Sequence, residues 1–191
     1  PAGKRKDASL AVMDSESDCI ICPEGTFCPV GSALAQPCAP GTYNTQPQQE
    51  TCTKCAAGTF QALEGQTACG ECPAGSHCAE GASAALFCSA GTFRSSPGAT
   101  GPSDCSTCPA GSACATGATS ATACEAGTST ATAGQSICAA CASGKFQPAS
   151  GQTACAECPA GSACSARATA ATVCSPGQYA ASAGASACAS C

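Results

Sequence analysis

Residues 55–78 read Cys-Ala-Ala-Gly-Thr-Phe-Gln-Ala-Leu-Glu-Gly-Gln-Thr-Ala-Cys-Gly-Glu-Cys-Pro-Ala-Gly-Ser-His-Cys. One phrase, Cys-x-x-Gly, opens twice in this stretch, at Cys55 and at Cys72. Thirteen residues separate Cys55 from the next cysteine, Cys69; five separate Cys72 from Cys78. Outward in both directions the phrase recurs, opened by Cys22, Cys38, Cys88, Cys108, Cys124, Cys141, Cys158 and Cys174. Modules are 16 or 17 residues long, except a 20-residue module that starts at Cys88. Such a fixed period marks a tandem-repeat architecture, in which each module is too small to bury a face alone.

Two residues after each glycine stands a second recurring place. It holds Phe27, Tyr43, Phe60, His77, Phe93, Ala113, Ser129, Phe146, Ala163 and Tyr179, and so six of the seven aromatics. The sequence predicts that this slot covers a disulfide and makes the apolar contact between modules. The phrase glycine suits a turn that needs positive φ, or a close backbone approach. Gly-Thr-Phe and Gly-Thr-Tyr then start short strands.

Composition says what cannot hold such a chain together. Leu, Ile, Val and Phe number 15 of 191 residues, about 8%. That is far below the roughly 20% under which chains stay disordered. Cysteine takes the place of a core: 22 residues imply a disulfide scaffold in an oxidising compartment. The expected fold is small, disulfide-rich and mostly irregular. Short β-hairpins form an elongated tandem-repeat rod without a central hydrophobic core. The expected organisation is an N-terminal arm at 1–18, one cysteine-rich block at 19–104 and a second at 105–191. The blocks are related by a duplication: Gly65-Gln66-Thr67-Ala68-Cys69 recurs as Gly151-Gln152-Thr153-Ala154-Cys155.

Two pairings fit the spacing. In one, every module closes on itself: 22–28, 38–52, 55–69, 72–78, 88–105, 108–114, 124–138, 141–155, 158–164 and 174–188. In the other, a compact module interlocks with its successor, as in 22–38 with 28–52. The first is preferred, because every module then holds its own two cysteines. Both leave Cys19 and Cys191 over. Cys19 stands where a module closes and Cys191 where one opens. Counting thirteen residues back from Cys19 puts the missing opener at Arg5. Two readings follow. Cys191 of one copy bonds Cys19 of the next, with the N-terminal arm filling a head-to-tail joint. Alternatively, both partners lie in sequence outside this chain.

The phrases Cys-Pro-Ala-Gly-Ser and Cys-Ala-Ala-Gly-Thr-Phe, with their Cys-x-x-Cys closures, resemble ephrin-receptor-like, growth-factor-receptor cysteine-rich repeats. In style they are similar to tumour-necrosis-factor-receptor modules. The resemblance covers 19–191 and implies elongated extracellular rods of β-hairpins with disulfide rungs. It implies no single function. The Ala/Ser/Thr-rich filling is similar in composition to algal or protist surface and flagellar-hair proteins.

Other chemistries find little footing. Net charge is −5, and from Cys19 onward the only basic residues are Lys54, Arg94, Lys145 and Arg167. No basic stripe is present for nucleic acid. No apolar run is long enough to span a membrane. No signal-peptide h-region is visible, so a secreted form would have lost its leader or be part of a longer chain. Cys52, Cys55, Cys69 and Cys72 have near zinc-ribbon spacing, as do Cys138, Cys141, Cys155 and Cys158. The compact Cys-x5-Cys loops have no place in such sites. A thioredoxin-like use of Cys-x-x-Cys lacks its βαβ context. His77, the sole histidine, sits in the aromatic slot, so no Ser-His or Cys-His nucleophile can be assembled. Glu71 and Glu157 read as solvated carboxylates. No catalytic residue, cofactor or metal is expected, and the chain is not expected to be an enzyme.

Leu10, Val12 and Met13 form a short alternating patch that suits addition to a neighbour's strand edge. Asn44, the only asparagine, is in no N-linked sequon, whereas Ser and Thr at 116–136 and 165–172 suit O-linked sugars. The expected role is a structural subunit of an extracellular or cell-surface fibre whose partners are copies of itself, head-to-tail. Other extracellular proteins or glycans are further candidate partners. The alternative is a ligand-binding or stalk ectodomain of a receptor or adhesin.

Overall fold

The structure is a computed structural model of the chain and describes residues 1–7, 9 and 15–191. Among the described residues the regular structure is eleven two-stranded antiparallel sheets and two short 3-10 turns, Glu16–Asp18 and Pro102–Asp104. Each sheet is one hairpin. Its outgoing strand is the residue after the phrase glycine plus the slot residue. Its return strand is the pair before the next opener. In the Cys55 module Thr59 faces Glu71 and Phe60 faces Gly70. In the Cys141 module Lys145 faces Glu157 and Phe146 faces Ala156.

The outgoing strand starts directly after the phrase because the phrase itself is a β-turn. Thr59 N–H donates to the Ala56 carbonyl at 3.0 Å, and the Thr59 hydroxyl donates to the same oxygen at 2.7 Å. Thr26, Thr42, Thr92 and Thr128 repeat this double bond. The third turn residue must take positive φ, which glycine does without a Cβ penalty; Gly58 has φ 85°.

Every module is stapled to itself. The bridges are Cys22–Cys28, Cys38–Cys52, Cys55–Cys69, Cys72–Cys78, Cys88–Cys105, Cys108–Cys114, Cys124–Cys138, Cys141–Cys155, Cys158–Cys164 and Cys174–Cys188. The members of each Cys-x-x-Cys pair therefore belong to different bridges. Cys19 and Cys191 are unpaired. Among the described residues the buried hydrophobic set is thirteen cysteines and Ala99. Bulky apolar side chains such as Val30, Leu63, Phe87 and Ile137 lie outside. The apolar interior of the described residues is almost entirely cysteine, as a disulfide-rich repeat without a hydrophobic core requires.

The chain forms two compact bodies. One is Pro1–Phe87 with Ser96–Asp104; the other is Cys88–Ser95 with Cys105–Cys191. The long loop of the Cys88 module is thus divided, its first half going with the second body.

The N-terminal residues are part of the first body. Lys4–Lys6 pairs with Cys19–Ile21, in the register Lys4 to Ile21, Arg5 to Ile20 and Lys6 to Cys19. Cys22 N–H donates to the Gly3 carbonyl at 3.0 Å, as Cys38 N–H does to Gly25 at 2.9 Å. Gly3 therefore stands in the phrase-glycine place and Arg5 in the aromatic slot. The expectation that Arg5 marks the opener is corrected: the opening place falls one residue before Pro1. The count failed because this loop is longer. Sixteen positions separate Gly3 from Cys19, against eleven between Gly58 and Cys69. Leu10, Val12 and Met13, expected to dock as an edge strand, lie outside the described residues.

Candidate functional site

The feature with a consistent, built geometry is the joint between successive modules, and main chain makes it. In the first body the phrase glycine donates its N–H one module ahead: Gly25 to the Asn44 carbonyl at 2.9 Å, Gly41 to Gln61 at 2.7 Å, Gly58 to Cys78 at 2.8 Å. The opener's carbonyl receives an N–H from the next module's second turn: Gln48 to Cys22, Gly65 to Cys38, Gly81 to Cys55 and Gly98 to Cys72, each at 2.8 Å. The second body repeats both bonds, with Gly111 donating to Thr130 at 3.0 Å and Gly134 to Cys108 at 2.8 Å.

A third contact skips a module. A Cβ built on Gly25 would lie 2.1 Å from the Gly65 carbonyl oxygen, and one on Gly111 2.3 Å from that of Gly151. No real Cβ fits there, so the phrase glycine also serves this close approach. The approached turn residue has positive φ too. At two modules it is not glycine: Gln48 and Arg167 both have φ 61°.

The slot side chains contribute less than expected. Phe27, Tyr43, Phe60 and Phe93 are half-buried, and Tyr179 is 49% exposed. The backbone supplies the contact, which explains why Ala113, Ser129 and Ala163 are tolerated in the slot. One residue further on stands a polar set that sequence reading missed. Asn44, 2% exposed, donates from Nδ2 to the Thr26 and Thr51 carbonyls, both at 3.0 Å. Its Oδ1 accepts from Thr53 N–H at 3.4 Å. Gln61 and Gln147 donate to the Ala68 and Ala154 carbonyls at 2.7 Å, and Thr130 to Ser112 at 3.3 Å. They tie down the thirteen-residue loops. Their signal was a polar residue directly after the slot in five of the six extended modules, where compact modules have the closing cysteine. Asn44→Ala removes the part-buried bonds to the Thr26 and Thr51 carbonyls and from Thr53 N–H, and is expected to cost about 2 kcal/mol, against about 0.5–1.5 for each bond lost. Urea unfolding with disulfides intact measures it; a change under 0.5 kcal/mol would contradict this role.

Side-chain chemistry elsewhere is sparse. His77 is half-buried on the strand Ser76–His77. The Ser76 hydroxyl is buried without a hydrogen-bond partner. Adjacent strand residues point to opposite faces, so the two do not form a dyad. Glu71 and Glu157 are exposed on return strands. Exposed pairs join Lys54 to Glu80 at 3.4 Å and Arg167 to Glu125 at 3.5 Å, a kind that contributes about 1 kcal/mol at most. Arg167, Glu125, Ile137 and Thr128 line a groove of about 300 Å3 in the second body. Beside the N-terminal strand, the Ser9 hydroxyl and N–H both donate to Asp7 and hold its carboxyl below the usual range. No cluster of three metal-ligating side chains occurs among the described residues, nor any helix long and apolar enough to cross a membrane.

Residues 41–86 and 127–172 both match the family described as tyrosine-protein kinase ephrin type A/B receptor-like. The chain carries two ephrin-receptor-like repeats. Both matches start at a phrase glycine, Gly41 and Gly127, and end at the return strand before the next opener. Each ephrin-receptor-like repeat thus spans two extended modules and one compact module. The two lie 86 residues apart, the period of the duplication. No curated protein matches the chain. Ephrin-receptor-like repeats with this density of disulfides point to an extracellular or cell-surface location.

Proposed function

We propose that this chain is a structural subunit of an extracellular or surface fibre, without catalytic activity or cofactor, built from copies joined head-to-tail. One observation supports the reading: the hydrogen bonds that recur from joint to joint are main chain, so they do not depend on the side chains that vary around them, while Asn44 and Thr130 add bonds at single joints. Such a joint suits mechanical continuity. Stability in stacked repeats is a sum of module and nearest-neighbour terms, so length can grow without a new fold. Exposed Ser and Thr within 116–136 and 165–172, such as Thr119, Ser120, Thr132, Ser165 and Thr169, suit O-linked sugars that keep a weakly charged surface soluble, whereas Thr128 and Thr130 are buried.

A second reading has its own support. The matched family bears a receptor's name, and an ectodomain stalk would use the same modules. Immuno-electron microscopy with antibody against 105–191 discriminates them. Regular labelling along extracellular fibres is expected. Label confined to the membrane face, with the protein released only by detergent, would overturn the fibre reading in favour of the ectodomain.

A further inference from the structure

We propose that the groove of the second body receives the Phe87 ring of another copy, so that the first body of one chain docks on the second body of the next. This rests on the head-to-tail reading above and names a surface for it.

The groove lies where a ring is missing. Ser129, in the slot of the Cys124 module, has its hydroxyl 3.4 Å from the sulfur of Cys155, the closing cysteine of the following module. The slot there faces the next bridge. One module earlier the equivalent pair is Ala113 and Cys138, and both line the groove. A slot ring such as Phe27 or Phe60 would take up space that Ala113 leaves open. The groove holds about 300 Å3. A dry cavity of about 150 Å3 already takes a benzene ring.

Three further departures from the repeat meet at the same groove. Ile137 precedes a closing cysteine where the other extended modules have Thr51, Ala68, Asp104, Ala154 and Ala187, and it is 76% exposed. Glu125 follows an opener where every other module has Pro, Ala or Ser. Arg167 takes φ 61° at a turn place that is glycine in eight of the ten modules. Left-handed backbone outside glycine costs free energy, and such strain collects at ligand sites. An apolar floor with a few charged groups on its rim is the make-up of a binding site.

The chain itself supplies a ring. Six of its seven aromatics stand in slots; the seventh is Phe87, on the return strand Leu86–Phe87 and 67% exposed. Charge favours the same pairing. By sequence the first body, which carries Phe87, holds ten acidic and four basic side chains, whereas the second holds two acidic and three basic. Arg167 is one of those three. Its pair with Glu125 is loose, at 3.5 Å with the Arg167 side chain 64% exposed, so the guanidinium can turn to a carboxylate of the arriving copy. Glu80, the one acid in the module 72–87, is the nearest in sequence to Phe87. Two different surfaces meet in this contact, so it can repeat from copy to copy. A single ring holds two copies weakly; a row of them along a fibre holds by effective concentration.

The test uses chains with p-benzoylphenylalanine in place of Phe87, mixed in equal parts as 15N-labelled and unlabelled protein, irradiated and digested for mass spectrometry. The expected cross-link runs from position 87 to peptides containing Ala113, Ile137 or Arg167, about half of it between labelled and unlabelled chains. Cross-links that always join like-labelled peptides, cross-links to other surfaces, or none at all would overturn the proposal. Ala113→Phe puts a ring in the groove's own slot and is expected to cut cross-linking at least tenfold, with ten bridges retained. Ala163→Phe makes the same change at another slot and is expected to leave cross-linking unchanged. Equal effects of the two overturn the role of the groove. Should Ala113→Phe not fold, Ile137→Ser at an exposed place serves instead, with a loss of at least threefold expected and an unchanged yield counting against the groove. Sedimentation separates this contact from the broader reading. Phe87→Ala is expected to weaken self-association at least tenfold. Assemblies that form equally well with and without the ring overturn the contact and leave a self-assembling structural protein. A wild-type chain that stays monomeric up to millimolar concentration overturns both.

Discussion

Gly111→Val is expected to break the stack of the second body, whereas Gly161→Val should leave it standing. Both glycines have φ 78°. At either one, valine pays the left-handed penalty of about 1–2 kcal/mol. The surroundings differ. Gly111 is buried, with the Gly151 carbonyl oxygen 2.3 Å from where a Cβ would go. Gly161 is exposed and has no atom within 4 Å of that place. Overpacking against a carbonyl that cannot move without opening its own module adds about 1–3 kcal/mol at Gly111. The expected loss there is about 3–5 kcal/mol, against about 1–2 at Gly161. Hydrogen exchange gives the sharpest measurement, because the lost protection should centre on the amides of Gly111, Cys124 and Gly151. All three take part in that joint: Gly111 N–H donates to Thr130, Cys124 N–H to Gly111 and Gly151 N–H to Cys124. Equal effects at the two sites would mean that the close approach plays no part in stability.

Complete reduction of the ten bridges is expected to abolish the fold, with loss of all slow-exchanging amides. Little apolar interior remains to hold the chain, since among the described residues the buried hydrophobic set is cysteine and Ala99. Single bridges should rank by loop length. Cys141–Cys155 closes a separation of 14 residues and Cys158–Cys164 one of 6. In the chain-entropy model these stabilise by about 3 and about 2 kcal/mol. Serine replacement of both cysteines in each pair, followed by urea unfolding, tests the order. A larger loss at the compact loop would show that burial of Cys158 and Cys164 outweighs loop closure. A reduced protein that keeps its exchange protection would contradict the account of the fold itself.

The contrast between these experiments reflects what could be read along the chain. Disulfide closure is local here, spanning 6, 14 or 17 residues, so it appears directly as spacing between cysteines. The opener phrase, the hairpin after it, the absence of an apolar core and the preference for self-closing modules all followed. So did the odd position of Cys19 and Cys191, and the resemblance to ephrin-receptor-like repeats.

The joint between modules was not legible, for a physical reason. Its contacts run between main-chain groups some 20 to 40 residues apart, as Gly25 does to Asn44 and to Gly65. Carbonyls and amides are the same for every residue, so only the glycine that makes room for them leaves a mark, and at Gln48 and Arg167 not even that. The aromatic slot drew attention because aromatics are rare in this chain, yet it proved a half-covered edge. The module of Gly3 was invisible because its loop is longer than the rest, and only strand register could put Lys4 opposite Ile21. The sequence alone determined that sulfur must hold the chain and favoured closure within each module over interlocked modules. Tertiary structure alone decided how one module meets the next, since backbone hydrogen bonding carries no residue code.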